Sequence, residues 1–195
     1  MVIAGDKNQF AGSHGKSNAR KHSKIRELGV ELIEVPLPVG DYVIVDDKVQ
    51  EVLDRKAKRN IPVKKMDLLG TYKIAVDSKA SIQELAGNIC GKDHERIRDE
   101  MLLAKNNSIR LVYLIEDDQI DALENLHRWA NPRLFLRKRG KQMFPNAVRG
   151  ITLMKACMTC RAKYGCEFVF CKSKDAATKI VEILTGGKAN GTNDS

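Results

Sequence analysis

Long apolar runs are missing from this 195-residue chain. None approaches the roughly 18 to 20 residues that a membrane-spanning helix needs. The start, Met-Val-Ile-Ala-Gly-Asp, lacks the charged n-region and long apolar h-region of a signal peptide, so a cytoplasmic protein is expected. Aromatic residues are scarce: one Trp, four Tyr and five Phe, spread along the chain. That scatter argues against a base-stacking platform for single strands. Cysteine occurs five times, an odd count that does not suit a secreted disulfide framework. There is no internal repeat, no Ser/His/Asp order and no glycine loop of the phosphate-cradling kind. Acidic residues are the minority: 25 Asp and Glu face 34 Lys and Arg, a net charge of +9. Such a balance favours a polyanionic partner, nucleic acid first and an acidic membrane surface second, over an inert basic exterior.

Apolar residues make up 43% of the chain, enough for a real core in one domain of about 187 residues followed by a polar tail from Lys188. Val2 to Ala4 predicts a first strand ending at Asp6. A helix follows, with Ser17 as its cap and Gly29 just past its end. Val30 to Val35 alternates as a half-buried strand does, and Val39 to Val45 is the next. Residues 46 to 71 are the least regular, either a basic flap over a groove or a solvated loop. Tyr72 to Lys79 predicts an apolar strand. Ile82, Leu85, Ala86 and Ile89 then recur at helical spacing up to Gly91, and a second helix from Asp93 turns Ile97, Met101 and Ala104 inward. Leu111 to Ile115 is a continuous apolar strand, as in a sheet covered on both faces. Further helices are predicted over Ile120 to Trp129 and Val148 to Lys163. Glu167 to Cys171 is a last strand, and a final helix capped by Ser173 ends at Gly186 and Gly187. This alternation predicts an α/β domain around a mixed sheet. Cys157, Cys160, Cys166 and Cys171 invite a zinc reading. The gap between Cys160 and Cys166 is short for paired knuckles and the first pair lies in a helical pattern, which favours buried, reduced thiols.

The chemistry gathers at Tyr72-Lys73-Ile74-Ala75-Val76-Asp77-Ser78-Lys79. Residues two apart in a strand share a face, so Asp77 and Lys79 emerge side by side. Val39-Gly40-Asp41-Tyr42 supplies a second acid at the start of another strand. Two carboxylates suit Mg²⁺, which takes oxygen ligands and keeps several waters. The Ser78 carbonyl adds a third oxygen, and Lys79 is placed to meet a phosphate or position a water. Together they suggest metal-dependent cleavage of a phosphodiester. An Asp-x-Lys alone is weak, since it also arises as an incidental ion pair at a strand end. Asp54-Arg55-Lys56 has the same form, but its polar flanks rank it below Asp77 and Lys79.

Leu37-Pro38-Val39-Gly40-Asp41-Tyr42 followed by Val76-Asp77-Ser78-Lys79 resembles the nuclease domain of the XPF family, which carries a Gly-Asp strand and then a Glu-Arg-Lys signature. The chain is more similar still to small nucleases of that family carried by phages and prophages. The shared stretches are Met66 to Tyr72, Glu84 to Ile89, Gly91 to Arg96 and Asn131 to Phe135. The resemblance implies a restriction-endonuclease-like fold, a Mg²⁺ or Mn²⁺ site and action on DNA, with flaps, forks or junctions as substrates. It makes Asp41 and Asp77 metal ligands, with Ser78 beside them, and Lys79 the catalytic lysine. It matches Asp6 to the acid of the first motif, and Arg96 and Glu100 to an Arg and a polar residue four positions on. Arg96 and Glu100 also suit a plain i, i+4 surface pair. The departures are plain. The first motif, often Asp-Thr-Arg-Glu, is Asp6-Lys7-Asn8-Gln9, and the signature Glu is Asp77 with Ser78 in place of its Arg. No helix-hairpin-helix tandem follows. DNA contact falls to Arg55, Lys56, Lys64 and Lys65, to Arg133, Arg137 and Arg139 with Lys138 and Lys141, and to His94 and Arg96, with His22 a further phosphate candidate. A homodimer is implied by relatives that pair their nuclease domains. The expected function is a structure-specific DNA endonuclease. The alternatives are a DNA-binding module of the same fold without catalysis and a partner protein using its basic surface for RNA.

Overall fold

The structure, a computed structural model, describes residues 1–186, and of 12–17 the backbone but not the side chains. The expected tail from Lys188 therefore lies outside what is described, and the helix expected to start at Ser17 begins at Gly12 with Ala11 at the cap position. A six-stranded mixed sheet forms the frame. Its strands are β1 (Val2–Asp6), β2 (Glu31–Val35), β3 (Tyr42–Ile44), β4 (Ile74–Lys79), β5 (Arg110–Glu116) and, after the two short strands of a hairpin, β8 (Glu167–Cys171). The order across the sheet is β2-β1-β3-β4-β5-β8. β3 runs antiparallel to both its neighbours, whereas β2 with β1, and β4, β5 and β8, are parallel pairs.

Helices cover both faces, which is why β5 reads as an unbroken apolar run. On one face α2 (Gly12–Glu27), which follows the single turn α1 (Lys7–Phe10), and α7 (Ala176–Leu184) close over Ile3, Tyr42, Val76, Val112 and Leu114. On the other, α3 (Asp47–Lys58), α4 (Ile82–Cys90), α5 (His94–Asn106) and α6 (Gly150–Tyr164) bury Ala4, Val43, Ala75, Leu111 and Tyr113. The predicted inward residues Ile82, Leu85, Ala86, Ile97, Met101 and Ala104 are all buried. Gly29 follows α2 with φ +74, the left-handed conformation that glycine adopts freely.

Several expectations are corrected. Residues 47–58 are neither flap nor loop but the helix α3. Asp46 caps it by accepting from the Lys48 and Val49 amides, and Val49 and Val52 give it a narrow buried stripe among charged residues. That narrow stripe is what made the segment read as irregular. β3 is shorter than Val39 to Val45, and β4 begins at Ile74 rather than Tyr72. Ile120 to Trp129 holds only a 3-10 turn, Leu123–Arg128. Ser173 opens another 3-10 turn and makes no cap bond to α7. The basic segment after Arg133 is the hairpin β6 (Arg137–Lys138) and β7 (Lys141–Gln142).

Candidate active site

Strand direction brings the two acids together. Because β3 is antiparallel to β4, the start of one lies against the end of the other: Tyr42 sits opposite Val76, and the Asp41 amide donates to the Val76 carbonyl at 2.8 Å. Asp41 thus stands next to Asp77. Gly40, with φ +73, makes this approach possible. A Cβ there would lie 2.8 Å from the Ala75 side chain and 3.3 Å from the Val76 carbonyl oxygen, so a larger residue would push the two strands apart. The Tyr72 hydroxyl fixes the loop before Gly40 from beneath. It accepts from the Val39 amide at 3.2 Å and donates to the Val39 carbonyl at 3.0 Å.

Alternation along β4 then divides the roles. Asp77 and Lys79 point to the α4/α5 face, both buried, with the ammonium 2.6 Å from Asp77 Oδ1. Ser78 points to the other face, where its Oγ accepts from Lys21 at 2.7 Å and Lys21 also pairs with Glu116 at 2.5 Å. The Ser78 amide donates to Asp41 Oδ2 at 2.8 Å. From α5, Glu100 reaches back and accepts from the Gly40 amide at 2.8 Å. It is turned inward and is not the surface partner of Arg96, which is exposed. Asp6, Asp41, Asp77, Lys79, Arg96 and Glu100 line one open cavity of about 990 Å³, with Ser78 and Lys65 on its wall.

Three carboxylates facing one buried ammonium leave excess negative charge. Burial, followed by the charge of Asp77, raises the Asp41 carboxyl well above the usual range. The same two causes push Glu100 up to about 7. Burial works against the Lys79 ammonium, but Asp77 and Asp41 outweigh it and hold the amine above its ordinary value. Among the described residues no group of three His, Cys, Asp or Glu stands ready to hold an ion. The donors nevertheless suit Mg²⁺, which commonly takes one or two carboxylates and keeps its waters. Asp77 Oδ1 is buried without a well-formed hydrogen bond, and a cation beside it would relieve the repulsion between the acids.

The other expected residues divide clearly. Asp6 is committed elsewhere: its Oδ1 accepts from the Asn8 amide and caps α1, and its Oδ2 accepts from the Leu37 amide, with Lys65 at 3.5 Å. His22 is corrected as a phosphate contact. It is buried against Phe10, its Nε2 lies 2.9 Å from the Tyr42 hydroxyl, and burial with Arg26 and Lys21 lowers it to about 4. His94, Arg55 and Lys64 are exposed and line no part of the cavity, and Lys56 ties α3 to Asp67 at 2.7 Å. Arg133, Arg137 and Arg139 are exposed on and beside the hairpin. Cys157 and Cys166 are buried thiols, and burial pushes Cys166 up to about 12, whereas zinc binds the thiolate.

Two residues escaped the sequence reading. Gln9 donates to Asp41 Oδ1 at 2.7 Å, and its carbonyl accepts from Asn18 at 2.7 Å. Its signal was its place as fourth residue of the first motif, where an acid is usual. Lys21 had no signal, since only the packing of α2 brings it to Ser78.

Several solved structures match, two of them XPF. XPF from Aeropyrum pernix is 14% identical, with a TM-score of 0.55, over 98% of this chain and 63% of that one. XPF from Aeropyrum pernix in complex with DNA is 16% identical, with a TM-score of 0.53, over 94% and 63%. The likeness establishes a restriction-endonuclease-like fold of the XPF kind, and the chain spans less than two thirds of the length of either match. No curated protein matches. The ERCC4 domain matches residues 7–184, nearly the whole chain, and on that match the protein belongs to the ERCC4 domain family.

Proposed function

We propose that this protein is a Mg²⁺- or Mn²⁺-dependent endonuclease that hydrolyses phosphodiester bonds in branched DNA. One observation carries the reading: Asp41, Asp77, Lys79 and Glu100, drawn from three elements, face a single open cavity on a strongly basic protein. ERCC4 domains are typically metal-dependent nucleases, which agrees with it. Asp41 and Asp77 would hold the ion, with the Ser78 carbonyl beside them. Bound there, a divalent cation supplies charge neutralisation at the phosphate and a more acidic water.

The remaining roles belong to the chain itself. Lys79, kept protonated by Asp77, presents a point charge to a phosphate oxygen. Gln9 and the Ser78 amide fix both oxygens of Asp41. Glu100, held on the Gly40 amide, locks the loop that delivers Asp41. Arg96 and Lys65 extend the positive rim toward the flanking backbone. The likeness to phage-borne members rests on the shared sequence stretches alone. Pairing of two chains, as relatives do, is part of the same proposal.

Labelled flap, fork, junction and linear DNA, each with Mg²⁺, Mn²⁺ or EDTA, test it. Metal-dependent cutting is expected, with Asp77→Asn and Lys79→Met each slowing it at least about 100-fold while DNA binding persists. Cutting that survives either substitution defeats the assignment. A second reading, a DNA-binding module without catalysis, is favoured by Gln9 standing where an acid is usual and by Asp6 serving as a cap. Tight binding without cleavage under every metal decides for it.

A further inference from the structure

Among the described residues, four exposed large apolar side chains gather on the segments that flank the hairpin strands. Phe135 is 70% exposed, Leu136 46%, Met143 47% and Phe144 36%. The hairpin's turn is built to project: β6 and β7 are joined by Arg139 and Gly140, with φ of 49 and 76, the paired left-handed residues of a tight two-residue connection. Its base is pinned by buried Asn131, which accepts from the Arg133 amide and donates to the Val148 carbonyl. The Arg133 guanidinium lies over the Phe144 ring at 5.2 Å.

Topology starts the connection that carries this hairpin at the rim of the candidate site. β4 and β5 are parallel with Lys79 opposite Ile115, so the chain leaves β5 beside the end of β4. The hairpin lies in the connection from that end to α6, which carries the chain back to β8, starting beside Val112. The junction is tight. Gly150, at the head of α6, abuts the Leu126 and Trp129 carbonyls, where a Cβ would lie 2.4 and 2.6 Å away.

Charge selects the occupant. From Asn125 to Cys166 there is no Asp or Glu, against ten Lys and Arg. A second copy docked through this surface would set like charge on like charge, whereas a polyanion complements it. Exposed rings among cations are what an unpaired base and its phosphates bind, one by stacking and the other by charge.

We propose that the hairpin reads the branch: Phe135 stacks on an unpaired base where duplex ends, while Arg137, Lys138, Arg139 and Lys141 hold the neighbouring phosphates. The inference rests on the nuclease reading only in taking DNA as the partner. It makes the preferred ligand a duplex with an unpaired nucleotide rather than continuous duplex. One stacking position of this kind differs from the extended aromatic platform that the aromatic count argues against.

The test is binding in EDTA, so that cleavage plays no part. Fluorescence anisotropy measures affinity for a flap and for a duplex of equal length. The wild-type chain should prefer the flap, Phe135→Ala should lower the flap-to-duplex ratio about tenfold, Phe135→Trp should restore it and Phe135→Leu should not. An unchanged ratio in Phe135→Ala, or full restoration by Leu, overturns the inference. So does a Phe135→Ala chain that loses a dimer by sedimentation while keeping its selectivity. Selective binding by a chain that never cuts supports the hairpin's role and defeats the nuclease reading. A wild-type chain that binds no DNA defeats both.

Discussion

At the scale of single residues, the cavity stores unfavourable charge. Burial and then Asp77 hold Glu100 near 7, and Asp41 is displaced in the same direction. The folded chain thus keeps protons that the unfolded chain releases at the ordinary carboxylate range. Through Glu100, stability should therefore fall as pH rises from about 4.5 through 7, with Asp41 acting in the same direction. For Glu100 alone the loss is on the order of 3 kcal/mol. Glu100→Gln keeps an acceptor for the Gly40 amide and removes the titration. Its melting temperature should gain on that of the wild-type chain between pH 5 and 7.5, and parallel melting curves across that range would refute the assignment. Asp77 and Lys79 were legible because a period of two fixes their common side. The engagement of Gln9 with Asp41 was not, because it depends on where α1 leaves β1.

At the scale of elements, α3 was missed as a helix. Charged residues surround a buried stripe of Val49 and Val52, so its apolar period is thin and only its packing reveals it. Its start is nonetheless a sequence feature: Asp46 accepts from two backbone amides. Asp46→Ala should cost about 1 kcal/mol, read by urea denaturation, and no change would mean that water satisfies those amides equally well. Helices α4 and α5 were legible, since their inward residues recur with the helical period. The hairpin was visible only as a basic segment. That Arg139 and Gly140 both adopt positive φ follows from pairing Arg137 with Gln142, a register that composition does not express.

At the scale of the whole molecule, the mixed sheet brings Asp41 beside Asp77 and Lys79 while α5 adds Glu100, and β3 is the strand that makes this possible. If a cation joins the carboxylates, it stabilises the folded chain by linkage. At about ten times Kd the gain is about 1.4 kcal/mol, a rise in Tm of about 3 to 5 °C for a chain of this size. Mg²⁺ should produce it, EDTA should reverse it, and Asp77→Asn should abolish it. An equal rise in the variant would place the ion elsewhere. The sequence by itself determined the alternation of strands and helices, the apolar faces and the sharing of one strand face by Asp77 and Lys79. Each of these follows from local periodicity and residue chemistry. The tertiary structure alone fixes that Asp41 meets Asp77, that Glu100 turns inward while Asp6 becomes a cap, and that the hairpin follows the end of β5 that lies beside Lys79. Those outcomes depend on strand direction and helix packing between residues far apart in the chain, which no short-range pattern encodes.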